Sequence, residues 1–275
     1  MRLRNMVLIE MRRAFKNKKM VISLLIGCGI CLWHYWQYVR PLPAIQKISA
    51  KTDSLYYPIT VFSSWIGGNS YTLQQYIYFI LFPVLAVIPF GASYYEDKRS
   101  GEYKNIITRI ESGKYLFAKF VAVFFSAGFA AVFPLVLNLL MTAVTVPSLL
   151  PQPVTYRYGI DNLTEGYQLF FQHPYVYLLI CLLFDFIFAG IIAGIALGAS
   201  SFAKNICFVW IAPFVTAIFL MVVFSMGNMS EYAPVYYLNP AVGQKNILVP
   251  ILQMAILLGY TIIVYLIGER NCEDI

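Results

Sequence analysis

Asp185 lies within the apolar run PYVYLLICLLFDFIFAGIIAGIALGA and is the one charged residue deep inside such a run. A carboxyl group in hydrocarbon is costly unless something pairs with it. A residue of this kind therefore points to a polar pathway through a membrane, or to a hydrogen bond between helices. Asn138, in another apolar run, is a candidate partner. The second concentration of chemistry is charge. The stretch YYEDKRSGEYKNIITRIESGKYLFAKF, residues 94–120, holds ten charged side chains in a chain that is only 12% charged.

Motifs for catalysis are missing. ESGKY at 111–115 contains Gly-Lys but neither the following Ser or Thr nor the upstream Gly of a phosphate-binding loop, so the chain is not expected to bind ATP by itself. His34 and His173 are the only histidines. They lie far apart, each near an expected outer membrane surface, where packing among interfacial aromatics is the simpler role. No HExxH, no GxSxG and no paired Cys/His set is present. Cys28 and Cys31 form a CxxC inside an apolar run, where helix packing explains them better than redox chemistry. The five cysteines imply no disulfide framework. No catalytic residue, cofactor or metal is expected.

The elements that must position Asp185 and the charged segment are membrane helices. The 275 residues are 60% hydrophobic with mean hydropathy +0.68, too apolar to clothe a soluble surface. Uncharged runs of about 20 residues, the length that spans a bilayer as a helix, recur along the chain. The expected fold is all-α: one polytopic membrane domain, 1–275, with six spans at 20–38, 71–95, 115–146, 174–203, 205–227 and 246–268. Backbone groups in lipid must pair within their own segment, which makes these spans helices. Several are longer than a bilayer needs, so shorter, tilted or kinked helices are expected. Pro83, Pro89, Pro134 and Pro213 are the places to bend or break. Gly190, Gly194 and Gly198, four apart, suit close helix packing.

Charge sets the orientation. Fifteen Lys and Arg fall before the first span, between the second and third, and beside the fourth and last, while five fall on the opposite side. The positive-inside rule then places both termini in the cytoplasm. The net charge of +7 is thereby a topology signal, and nucleic acid is not an expected partner. Residues 1–19 are expected to form an interfacial helix, with Val7, Leu8, Met11, Ala14 and Phe15 on one face and Glu10, Arg12, Arg13 and Lys16 on the other. LIGC at 25–28 resembles a lipoprotein cleavage box, but the apolar run continues, so an uncleaved first span is the reading. The outer loops 39–70, 147–173 and 228–245 are rich in Pro, Gly and Tyr and long enough to fold. NLT and NMS within them match the glycosylation pattern, as three-residue motifs do by chance.

Within the charged segment, Ser100 is placed to cap a helix and Glu102 sits in its first turn, where the dipole favours an anion. Tyr103, Ile106, Ile107 and Ile110 fall at i, i+3, i+4 and i+7, one apolar face. Arg109 lies near the end and Gly113 is placed to terminate it. The spacing predicts an amphipathic helix of about three turns over 100–111. Its apolar stripe suits either the lipid surface or a groove on a protein, and Glu96, Asp97, Lys98 and Arg99 suit polar pairing at a rim.

The pattern resembles the permease subunit of an ABC-2 type ABC transporter. The carriers of the resemblance are Glu96 after the second span, Gly101, the pair Ile106 and Ile107, Arg109, and Lys119 at the opening of the third span, with APVYYLNP before the last span similar to that family's outer re-entrant region. The chain departs from the pattern at IESGKY, where the family often has a Pro after its coupling helix. The resemblance implies a coupling region at 96–113 that docks a separate ABC ATPase through Glu96, Asp97, Arg99, Ser100, Gly101, Glu102, Tyr103, Ile106, Ile107, Arg109 and Ile110. It further implies a second permease subunit, identical or different, in the bacterial cytoplasmic membrane, and export as the direction. Aromatic outer loops and few membrane charges favour an amphipathic or apolar substrate such as a peptide antibiotic, a lipid or a drug. A stand-alone secondary transporter or channel, and a membrane assembly or immunity factor, are the competing readings.

Overall fold

The structure is a computed structural model that describes residues 3–52, 56–108, 110–155, 157–243 and 245–273, with side chains placed as far as Ile267. The described residues are helical, without strands; a single parallel bridge joins Gly159 to Val242. In chain order the α-helices are α1 (Leu3–Phe15), α2 (Lys18–His34), α3 (Leu42–Thr52), α4 (Val61–Ser64), α5 (Leu73–Val87), α6 (Ser93–Arg99), α7 (Glu102–Ile107), α8 (Ser112–Thr145), α9 (Tyr167–Gln172), α10 (Pro174–Ala199), α11 (Ile206–Met226), α12 (Pro234–Tyr237) and α13 (Leu248–Glu273).

Five of the described helical segments are long and apolar enough to cross a membrane: Lys18–Thr52, Ser112–Thr145, Pro174–Ala199, Ile206–Met226 and Leu248–Ile267. The expected second span differs. Residues 71–95 do not form one helix: α5 ends at Val87 after 15 residues and α6 begins at Ser93. Pro89 is the physical reason. It has no N–H for the Leu85 carbonyl four residues back. That carbonyl accepts instead from Ser23 Oγ of α2 at 2.7 Å. Pro83 and Pro134, by contrast, sit inside continuous helices. Near Pro134, Tyr78 Oη of α5 donates to the Ala131 carbonyl at 2.5 Å, tying the two helices at the proline.

The first expected span is also longer than its apolar run. From α2 the chain passes through a π-helical turn, Tyr35–Val39, and on into α3, so the outer loop expected at 39–70 begins as helix. The remaining loop residues fold back on the bundle. Trp65 and Ile66, just after α4, are fully buried, and so is most of the segment 233–241 around α12.

At the centre α8 and α10 pack on each other, with α13 against α10 and with α1, α2 and α5 against α8. Small residues allow these approaches. A β-carbon on Gly194 of α10 would lie 2.7 Å from Thr261 Cγ2 of α13, closer than packed atoms come. Helices at the rim bury only a stripe: Met20, Ser23, Gly27, Cys31 and His34 in α2, and Val209, Pro213 and Ala217 in α11. Their other faces carry exposed Leu25, Trp33, Ile211 and Phe219, the surface expected of helices in lipid.

Candidate functional site

The break after α5 swings the charged segment under one end of the bundle. Past the turn, α6 carries Ser93, Tyr94, Tyr95 and Asp97 inward. Gly101 then turns the chain sharply: its φ of +79° is in the left-handed region, which glycine enters without penalty. Gly101, and not Ser100, is the residue that caps the next helix; Ser100 Oγ accepts from the Glu102 N–H at 3.4 Å. The three-turn helix expected over 100–111 is shorter, since α7 covers only Glu102–Ile107. Gly113 does not end it either, because Ser112 already opens α8 and Gly113 lies in its first turn.

Four ionised side chains meet between α1, α6 and α8. Lys119 has no exposed surface, and its Nζ donates to Glu10 Oε2 at 2.8 Å and to Asp97 Oδ2 at 2.5 Å. Glu10 and Asp97 are almost as deeply buried. Arg13 approaches from the half-exposed side, donating to Asp97 Oδ1 at 2.7 Å, to Glu10 Oε1 at 2.9 Å and to the exposed Glu102 at 3.2 Å. Tyr115 Oη completes the set with a 2.6 Å bond to Asp97 Oδ2. Two carboxylates and two cations thus balance below the exposed rim. Lys19 pairs with Glu96 beside them.

Burial alone would push the Asp97 carboxyl up. The charge of Lys119 and the hydrogen bonds from Arg13, Lys119 and Tyr115 outweigh it and hold Asp97 below the ordinary carboxylate range. For Arg13, burial opposes the charged form. The hydrogen bond to Asp97 and the charges of Glu10 and Asp97 prevail and fix the guanidinium positive. A buried ion set of this kind is costly to desolvate, so it adds little net stability over an apolar core. Loss of one member, however, leaves an uncompensated charge. What the set contributes is registry: α1, α6 and α8 fit together in one way.

An aromatic layer lies against the ions. Tyr94 packs on Tyr103 of α7 at 5.7 Å, Tyr103 on Tyr115 of α8 at 5.8 Å and Tyr94 on Tyr265 of α13 at 5.4 Å. Lys98 Nζ stands 4.6 Å over the Tyr94 ring. Tyr95 Oη donates to the Lys204 carbonyl at 2.9 Å, joining α6 to the turn between α10 and α11. The apolar stripe of α7 is accordingly turned toward the protein's own core. Tyr103 is buried, Ile106 and Ile110 are half-buried against the core, and only Ile107 stands exposed. Of the other residues read as docking positions, Arg99, Ser100 and Glu102 are exposed, Glu96 and Gly101 are half-buried and Asp97 is inaccessible. Arg109 lies outside the described residues. Lys104, Asn105 and Thr108 add to the exposed face.

Glu10, Arg13, Lys119 and Tyr115 were not among the expected site residues. Helical spacing puts Glu10 on the polar face of α1, yet Met6, Glu10 and Ala14 form its buried stripe, with Leu8 and Phe15 outside. The signal available was Lys119 itself, a lysine enclosed by YLFA and FVAVFF, and a carboxylate spaced four residues from Met6 and Ala14.

Asn138 is not the partner of Asp185. Its Oδ1 accepts from the Ile66 N–H at 2.8 Å, and its Nδ2 donates to the Cys31 carbonyl at 2.9 Å, tying the buried loop after α4 to α2 where the π turn begins. His34, expected at an interface, is fully buried there, 3.4 Å from Asn138 and stacked on Tyr38. Asp185 faces a separate cavity on α10. Among the described residues no cluster of three or more His, Cys, Asp or Glu could hold a metal ion. Comparison with protein-family models, with curated proteins and with solved structures finds no match to this chain.

Proposed function

We propose that the chain is the permease subunit of an ATP-driven exporter, with six spans, both termini in the cytoplasm, and a docking surface for a separate ATPase at the turn formed by α6 and α7. In this reading the short α5, followed by the turn 88–92 and the opening residues of α6 as far as Tyr95, serves as the second span. The single observation that carries the proposal is the buried ion cluster. It binds the exposed turn to α1 and to the foot of α8, while the aromatic layer binds it to α13. A push on α7 is then delivered to three helices as one body, which is the mechanical requirement for coupling at a distance. The exposed set Arg99, Glu102, Lys104, Asn105 and Ile107 is mixed in charge around one apolar side chain, the composition of a polar-rimmed contact.

Two such subunits would share two ATPases, and closure of the ATPases on ATP would move the turns and with them α8. The test is co-purification of the full chain from its native membrane, with ATP hydrolysis as the readout. Turnover by an associated chain carrying a phosphate-binding loop is expected. Lys104→Glu combined with Ile107→Asp should abolish both association and turnover without altering thermal unfolding, since both side chains are exposed. Survival of both in the double variant would reject the docking surface.

A further inference from the structure

On the flank of α10, a cavity of about 310 Å³ is walled by Tyr177, Ile180, Phe184 and Asp185 of that helix and by Tyr237 and Leu238 of the segment ending α12. This is the size of a small-ligand site. The lining is mostly apolar, and two of its buried polar side chains lack partners. Neither carboxyl oxygen of Asp185, which is 1% exposed, has a hydrogen-bond partner, and neither does the Tyr237 hydroxyl. Every other buried carboxylate described above is paired with a cation, whereas this one, in the wall of the cavity, is paired with none. Buried polar groups without partners are rare and call for a cause.

We infer that this cavity binds the positively charged head of an amphiphile, an ammonium group carried on an apolar chain. An ammonium supplies the donors that the Asp185 oxygens lack, and the Tyr237 hydroxyl can accept a further bond. Aromatic walls favour the same ligand, because a cation is attracted to a ring face. Phe184 and Tyr237 stand edge to face at 6.1 Å beside the carboxylate, with Tyr177 also lining the cavity. Glu165, exposed at the rim, adds negative charge that attracts a cation and repels an anion. Ile180 and Ile247 at the rim are exposed apolar side chains, suited to the ligand's chain.

Asp185 lies eleven residues into α10 from Pro174, which at a helical rise of about 1.5 Å per residue is about 16 Å along the helix. That is close to half of a hydrocarbon core of about 30 Å, so the headgroup would be drawn toward the middle of the membrane. Binding of such a ligand requires no ATPase partner.

The test uses the full chain in dodecyl maltoside micelles, titrated with radiolabelled dodecylamine, with empty micelles subtracted and dodecanol as the neutral control. Saturable dodecylamine binding and non-saturable dodecanol uptake are expected. Asp185→Asn, which keeps the shape, should weaken dodecylamine by about tenfold or more, the scale of a hydrogen bond to a charged group. Ile180→Trp should block the mouth and weaken it independently, so the inference stays testable if Asp185→Asn fails to fold. Competition by phosphatidylethanolamine would identify a membrane aminolipid as the source of the ammonium, and its absence a free amphiphile. Non-saturable dodecylamine, equal saturable binding of dodecanol, or affinity unchanged in both variants would overturn the inference.

Discussion

Replacing Lys119 with Met tests whether the ion cluster locks α1 to the bundle. The substitution keeps the length and most of the volume of the side chain and removes one charge. Glu10 and Asp97 then share Arg13 as their only cation, and a net negative charge remains beneath the rim. Breaking a buried pair by removing one partner costs about 3–5 kcal/mol. Arg13 is partly exposed and already bonded to both carboxylates, which places the expected cost at the lower end, about 3 kcal/mol. At 1.4 kcal/mol per factor of ten, the population with α1 lifted should rise about 100-fold. Met6 is buried on the inner face of α1, so a Met6→Cys reporter reads this opening through its maleimide labelling rate. A charge-free triple variant, Glu10→Gln with Asp97→Asn and Lys119→Met, should recover part of the protection, because no uncompensated charge is left. Labelling of Lys119→Met within about fivefold of the parent, the scale of an exposed salt bridge, would refute the reasoning. A triple variant more open than Lys119→Met alone would do so as well.

Two further outcomes follow from the same geometry. The Asp97 carboxyl is held below the ordinary range, so its contribution is present above the unfolded value near pH 4 and is lost only as pH falls through the lowered folded value. Hydrogen exchange of the α1 amides, corrected for intrinsic rates, should therefore stay flat from pH 7 to about 4, and opening at pH 5–6 would contradict it. Asn138→Ala leaves the buried Ile66 N–H without an acceptor, at a cost of about 1–3 kcal/mol, and should lower thermal stability and expose residues 61–66 to exchange. Asn138→Asp, which keeps the acceptor, should retain part of that stability; equal melting of Asn138→Ala and parent would remove Asn138 as the tie.

The long apolar helices were legible because length and composition alone determine them: the start of α10 at Pro174 and most of α8 and α11 fall where the apolar runs lie. The division of the second span was only half legible. Pro89 marks a weak point, but the free carbonyl of Leu85 is taken by Ser23, 62 residues before Leu85 in the chain. The direction of α7 was not legible at all. Tyr103, Ile106 and Ile110 read as a stripe awaiting a partner, and the partner is the tyrosine layer brought together by α6, α8 and α13. Glu10 was misplaced for the same reason, since periodicity ranks a carboxylate as outward and only the distant Lys119 makes the inward position affordable. Asn138 drew attention as a polar residue in an apolar run, yet its partners are backbone groups that side-chain patterns do not reveal.

The most direct test of the coupling proposal is a photocrosslinking amino acid at position 107, the exposed apolar residue of α7, in the full chain in its native membrane. The account predicts one dominant protein adduct, to a chain carrying a phosphate-binding loop, that disappears when Lys104→Glu is added and changes in yield with ATP. Adducts to lipid alone, or a protein adduct lacking any nucleotide-binding motif, would contradict it.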